Sequence, residues 1–293
     1  MIHDSCSKYY LHIGRAGDLE DERDRKIYRL FEMIPGILTW ATFIVIILAS
    51  WLAPVWAAFF IIAFDLYWLV KTVYLSFHLR ANWRKITHYM ELDWQERLAN
   101  FKYNNLWQMV MLPFYKEGFE VISASLESLL EAKWDKKKMM IVLAYEERVG
   151  EEAEEKAKTA LEKYKDKFAH FIIIKHPKDL EGEIPGKGSN LAFAAKVAKE
   201  KILDANGIKY EDVLISAFDI DTRAYPQYFL CLTWHFLTCE KPYRSSFQPV
   251  PVYNNNIWDA PAPSRVVAIS GTFWQMIQQE RPERLATFSS HSL

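Results

Sequence analysis

Cysteine is scarce: 293 residues hold only Cys6, Cys231 and Cys239. An odd number, widely spaced and without metal-ligand spacing, excludes a disulfide framework and fits a reducing compartment. Cys231 and Cys239 fall in one helix-like stretch, where they read as small packed hydrophobes. Net charge is nearly absent too, at −1 from 36 basic and 37 acidic side chains, so the chain carries no nucleic-acid footprint. His170, His176, His235 and His291 show no ligand spacing, which counts against a metal-dependent hydrolase. The most informative absence is local: between Met33 and Phe64 there is no charged residue at all.

That run is too long for one membrane span, which takes about 20 helical residues. Pro54 sits near its middle. The sequence predicts two spans, about 34–51 and 54–72, joined by a tight turn as a transmembrane hairpin. A cleaved signal peptide is not expected, given the late start, the length and the acidic-rich arm before the run. Arg23, Arg25, Lys26 and Arg29 precede the first span and Lys71, Arg80, Arg84 and Lys85 follow the second. The turn has no basic residue, so both ends are expected in the cytoplasm. Asp65 lies inside the second span, either as a functional acid or near the inner interface, paired with Lys71 or a backbone group. Residues 77–104 mix aromatic and basic side chains, as a helix lying on a membrane surface does. A plain connecting helix reads the same way. The organisation expected is a polar arm (1–32), a hairpin (33–76), a juxtamembrane helix (77–104) and a cytoplasmic domain (105–293).

From Asn105 onward short apolar runs alternate with helical periods. Strands are predicted at 106–112, 138–145, 170–176 and 212–218. Helices are predicted at 120–134, at 151–168 with an apolar stripe of Ala153, Ala157, Ala160, Leu161, Tyr164 and Phe168, and over "SNLAFAAKVAKEKILDANG". Ser189 would cap the last of these and Asn206-Gly207 would end it. This alternation predicts an α/β fold with a mostly parallel sheet covered on both faces. Such sheets bind ligands at the carboxyl ends of their strands.

Two stretches there carry chemistry. "SAFDIDTR" (216–223) ends a buried strand in two carboxylates, Asp219 and Asp221. If the backbone stays extended they share a face, and hard oxygen ligands at a strand mouth suit Mg2+ or Mn2+ held together with substrate phosphates. The plain alternative is a pair of loop acids, one capping a helix that starts near Pro226. "IPGKGSN" (184–190) combines a tight loop, Lys187 and a helix N-terminus, a set that favours phosphate. It is not a Walker A loop, because the glycine spacing is short and Gly188 follows Lys187.

The order "MLPFYKEG", "VLAYEER", "GKGSN", "SAFDIDTR" resembles a membrane-anchored family 2 glycosyltransferase with a GT-A fold, over about residues 106–293. The resemblance implies a Rossmann-like, mostly parallel GT-A domain. It also implies that Pro113, Tyr115 and Glu117 match the family's P-x-Y-x-E, with Lys116 in place of Asn, that Lys187 and Asn190 match its K-G-x-N, and that Asp219 and Asp221 match its D-x-D. Nucleotide-sugar binding then falls to Pro113, Tyr115, Glu117, Glu146, Lys187, Asn190 and Asp219, and the metal to Asp219 and Asp221. One motif departs: the Asp-rich turn that contacts the base is "AYEER" here, with Glu146 or Glu147 as stand-in. The family's E-D pair with the catalytic base and its Q-x-x-R-W helix are not found, so the base is expected beyond Leu293. "RLATFSSHSL" (284–293) resembles the start of the acceptor-side segment, and residues 246–264 read as a connection near the donor.

The resemblance thus implies inverting transfer of a sugar from a nucleotide-diphosphate-sugar to a lipid or polysaccharide acceptor, dependent on Mg2+ or Mn2+, at the cell membrane. The alternative is a non-catalytic membrane scaffold with a degenerate nucleotide-sugar-binding domain.

Overall fold

The structure is a computed structural model that describes residues 13–178, 180, 183, 186–254, 257–279 and 291–292. The chain divides into two compact units, one running to Phe77 and taking in Leu180–Glu183, the other holding the rest.

In the first unit, helix α1 spans Glu22–Leu52, and helix α2 begins at Pro54 and ends, within the second unit, at Glu91. Both are long and apolar enough to cross a membrane, with mean hydropathies of 2.1 and 1.6 over their best windows. Only Ala53 separates them, its non-helical backbone and the following proline breaking the run. Among the described residues none of α1 is buried, so its apolar surface is open all round. Helix α1 starts well before the apolar run: Asp21 accepts from Asp24 N at 2.9 Å as N-cap, and Lys26 pairs with Glu22 at 2.6 Å one turn on. The last third of the predicted polar arm, from Glu22 to Glu32, is therefore helical. The arm also docks, since Glu32 accepts from Ala16 N at 3.0 Å and pairs with Arg29. Lys71 lies over the Trp68 ring at 4.6 Å and donates to Tyr67 at 3.2 Å. The pairing with Asp65 that the sequence offered is not made.

In the second unit the residues from His78 continue α2 to Glu91, and a short helix α3 follows at Trp94–Leu98. Strand β1 (Trp107–Phe114), helix α4 (Phe119–Glu131), β2 (Met139–Glu146), α5 (Glu151–Tyr164), β3 (His170–His176), α6 (Lys187–Ala198), β4 (Val213–Ala217), α7 (Tyr228–Thr238), α8 (Ala262–Gln279) and a two-residue strand β5 (His291–Ser292) complete it. The sheet order is β3-β2-β1-β4-β5, with the first four strands parallel and β5 antiparallel to β4. This is the predicted α/β class with a mostly parallel sheet, preceded by two long apolar helices.

The central strands are apolar on both faces, as parallel strands buried between helices must be. Val110, Leu112, Phe114, Ile141, Leu143 and Tyr145 meet α3, α4, α5 and α7 on one side. Met109, Met111, Met140, Val142, Ala144 and Ile174 meet α6 on the other. The stripe of α5 is buried as expected at Ala153, Ala157, Ala160 and Tyr164. On its wet face Glu152–Lys156 and Glu154–Lys158 pair at 2.7 and 2.8 Å.

Helix α6 departs from expectation at its start. It opens at Lys187, after Gly186 at φ 157°, so Ser189 lies inside the first turn and Gly186 holds the N-cap position. Its last turns widen into a π-helical stretch, Lys199–Asp204, and Gly207 at φ 64° closes the end as predicted.

Candidate active site

The carboxyl ends of β1, β2 and β4 open into one cavity of about 1850 Å³. Every sequence-predicted site residue lines it: Pro113, Tyr115 and Glu117 after β1, Glu146 at the end of β2, Lys187 and Asn190 on α6, and Asp219 and Asp221 after β4. Of the predicted phosphate loop, Ile184 and Pro185 lie outside the described residues, as do Cys6, residues 284–290 and Leu293 of the C-terminal stretch, and Asn255 and Asn256 of the connection.

The two acids are not on an extended strand. After Phe218, whose N–H still donates to Met111, the backbone turns, and Thr222 N donates to Asp219 O at 2.9 Å. A turn, and not strand alternation, brings both side chains to the cavity. Neither acid caps the next helix, because the N-cap of α7 is Gln227 and makes no side-chain capping bond. The Asp219 carboxylate pairs with the Lys187 ammonium. Asp221 is open to the cavity, yet its carboxyl is held above the usual range, first by desolvation and then by the charge of Asp219, with Glu117 adding to it. Negative charge is crowded here, and Lys187 offsets only part of it.

The surrounding groups are fixed. Glu117 accepts from Tyr115 N at 2.6 Å, so part of its role is to hold the turn after β1. Asn190 is 2% exposed, its Nδ2 reaches Ala144 O at 3.5 Å, and its Oδ1 has no partner. Lys187 stands in the first turn of α6, where the helix dipole favours an anion. Glu146 is bound by Arg148, with Arg148 Nη2 donating to Oε1 at 3.0 Å and Nε to the other oxygen. That pairing raises the Arg148 guanidinium above its ordinary value. Glu147, the other stand-in, points elsewhere: it accepts from Lys178 N at 3.2 Å and pairs with Lys175 at 3.5 Å.

The loop that follows the acids is stitched down on two sides. Ser125 Oγ donates to Thr222 O at 2.9 Å and Ser128 Oγ accepts from Ala224 N at 3.2 Å, both from α4. Tyr225 Oη donates to Met90 O at 3.1 Å, Gln227 Nε2 donates to Leu92 O at 3.1 Å, and Gln227 Oε1 accepts from Trp94 N at 2.9 Å. These last three bonds fasten the loop to the end of α2 and the start of α3.

Sequence reasoning missed these wall residues. Arg148 was visible as the last charge of "AYEER", but Tyr225 and Gln227 gave no signal, since their partners are 135 residues away in the chain. It also missed Asn82, Trp83 and Tyr89 of α2 and Gln275 and Met276 of α8, whereas residues 246–254, read as part of a connection near the donor, do line the cavity. Among the described residues no group of three His, Cys, Asp or Glu side chains is placed to hold a metal by itself. His235 lines the cavity too, but it is packed against the Tyr89, Trp94 and Trp234 rings, and burial lowers its imidazole below the ordinary value, with the Lys85 charge adding to it.

No family model and no curated protein matches the chain. Among solved structures it is similar to the mannosyltransferase PcManGT from Pyrobaculum calidifontis in complex with GDP-Man and Mn2+. That likeness has 12% identity and a TM-score of 0.40, over 77% of this chain and 54% of that one. It is also similar to S. aureus TarS 1–349, at 16% identity and a TM-score of 0.30, over 52% of this chain and 44% of that one. The chain thus spans about half the length of the structures it matches.

Proposed function

We propose that the chain is a membrane-anchored glycosyltransferase that moves a sugar from a nucleotide-diphosphate-sugar to a lipid or glycan acceptor, with inversion. One observation carries the reading. A single cavity at the carboxyl ends of a parallel sheet gathers Asp219, Asp221, Lys187 and the opening turn of α6. Ligand sites of open α/β sheets lie at these ends. Carboxylates beside an ammonium and a helix N-terminus form a mixed-charge seat that suits a cation and a diphosphate together, where either alone is poorly matched.

The residues fit a divalent ion. Two hard carboxylates stand close, and Asp221 is raised first by desolvation and then by the charge of Asp219. Asp221, with Asp219, would hold Mg2+ or Mn2+, the remaining ligands being phosphate oxygens and water. When bound, such an ion offsets the charge that develops on the departing diphosphate. The chain's own groups do the rest. Lys187 and the α6 N–H groups receive the phosphates. The stitched loop keeps Asp219 and Asp221 from reorganising, so their positions are set before the ligand arrives. Pro113, Tyr115 and Glu117 form the floor between the acids and β2.

The cavity exceeds the roughly 300–1,000 Å³ of ordinary ligand pockets, which leaves room for the reacting end of an acceptor beside the donor. The two apolar helices support the anchor, with both ends cytoplasmic by their basic flanks. We assign residues 1–32 to the arm, 33–76 to the hairpin, 77–104 to the juxtamembrane segment and 105–293 to the transferase domain. The test is turnover. Full-length protein in native membranes should consume a nucleotide-sugar and release nucleoside diphosphate only with Mg2+ or Mn2+. Tight binding without release would favour the scaffold reading, and no binding of any nucleotide-sugar would overturn both.

A further inference from the structure

At the end of β2 the cavity is lined by a carboxylate that is already engaged and by the guanidinium that engages it. Glu146 is 7% exposed, and both of its oxygens are engaged by Arg148. A buried carboxylate needs such a partner, so the two side chains act as one unit. The Tyr115 ring fixes the guanidinium from a second direction, with its centroid 5.2 Å from Arg148 Cζ. A guanidinium carries five N–H bonds in a rigid fork. Glu146 takes one on Nε and one on Nη2, which leaves the outer edge, Nη1 and the second N–H of Nη2, as a pair of parallel donors. Arg148 stays 40% exposed and lines the cavity.

This edge stands at a defined distance from the acids. The order β3-β2-β1-β4 places one strand between β2 and β4. Neighbouring strands are about 4.8 Å apart, so the β2 corner lies about 10 Å along the sheet edge from the loop that follows β4. A nucleoside diphosphate laid along that edge, its phosphates at Lys187 and the acids, passes its ribose over the end of β1 and brings its base to Arg148.

Bases differ in what they offer a pair of parallel donors. Guanine presents two neighbouring acceptors, O6 and N7, the usual bidentate partner of arginine. Adenine sets an amino donor beside N7. Uracil sets its N3–H donor between its two carbonyls, which a pair of parallel donors matches poorly, whereas cytosine does set N3 beside O2, so CDP is the nucleotide against which the guanine reading is decided. We propose that Arg148, locked by Glu146 and Tyr115, reads the nucleobase, and that the site takes a guanine nucleoside diphosphate in preference to its uracil and adenine counterparts. This inference rests on the nucleotide-sugar reading and names its base.

The test is calorimetric titration of the purified full-length protein with GDP, UDP, ADP and CDP, each with Mn2+, repeated on Arg148→Lys. The lysine keeps a positive charge beside Glu146, so the fold is preserved, but it loses the fork. In the parent, GDP should bind about tenfold or more tighter than UDP or ADP, the discrimination of one bidentate pair. In Arg148→Lys, confirmed as folded by an unchanged melting temperature, GDP should fall to the level of the others. Equal binding of all four, or a preference for UDP, ADP or CDP, overturns the inference and leaves the nucleotide-sugar reading standing. A GDP preference that survives Arg148→Lys removes Arg148 from the role. Failure of all four to bind overturns the nucleotide-sugar reading, and this inference with it.

Discussion

Asp221→Asn separates a metal ligand from a structural acid, because it keeps the shape and removes the charge. In the protein without ligand, the Asp221 carboxyl is pushed up by desolvation and by Asp219. An acid whose folded value is raised favours its protonated form in the fold. Its contribution is therefore present at low pH and lost as pH rises through the interval between the ordinary value of 3.8 and the raised one. At pH 7 the ionised side chain works against folding, so the asparagine variant should melt at the same temperature or slightly higher. Ligand binding should move the other way. A hydrogen bond or ligand contact to a charged group is worth about 1.5–3 kcal/mol, so nucleotide affinity with Mn2+ should drop roughly tenfold to a hundredfold. The assay is titration of nucleoside diphosphate with Mn2+ and again with EDTA, for parent and variant, beside a thermal melt. In the parent EDTA should weaken binding; in the variant it should change little. Equal, EDTA-insensitive binding in both proteins would refute the argument. A clear loss of thermal stability in the variant would refute its electrostatic half.

Three further outcomes are expected. Lys187→Ala should weaken nucleoside diphosphate binding by about tenfold or more, since a charge-assisted contact is lost, and calorimetry would show it. Cys231, whose thiol burial pushes up to about 12, should resist thiol reagents at pH 8 in a Cys6→Ser, Cys239→Ser background until denaturant opens the fold. Single cysteines placed at Ala53 and at Asn105 should label from opposite sides of the membrane in sealed vesicles; labelling from one side would dismiss the hairpin.

Much of the domain was legible because buried parallel strands need continuous apolar runs. Met139–Glu146 is buried at every position, and its run could be nothing else of that length between two turns. The long helices were legible from the missing charges. What stayed hidden depends on partners remote in sequence or on side-chain rotamers. Lys187 and Asp219 were each singled out, but their mutual pairing across 32 residues was not. Ser189 looked like a cap because serine often is one, but Gly186 let the helix begin earlier. Glu146 looked available to a ligand until Arg148 was seen to occupy both its oxygens. The continuation of α2 through Glu91 was masked by the change from apolar to mixed composition, which alters a helix's surroundings without ending it.

The bonds from Tyr225 and Gln227 to Met90, Leu92 and Trp94 set a lower limit on what can be cut away. A soluble fragment trimmed to the first strand, at Trp107, would keep the whole sheet and Glu117, Glu146, Asp219 and Asp221 of the cavity. It would nevertheless lose three of the bonds that hold the acid-bearing loop, and with Trp94 it would open a face of the core. A fragment that begins before Asn82 keeps that seam, together with the 2.7 Å bond from Asn82 Nδ2 to Met276 O on α8. The smallest fragment with an intact cavity is therefore expected to include the last turns of a helix whose first half is apolar enough to cross a membrane. Excision at the apparent domain border would yield a folded sheet with an unsupported active-site loop.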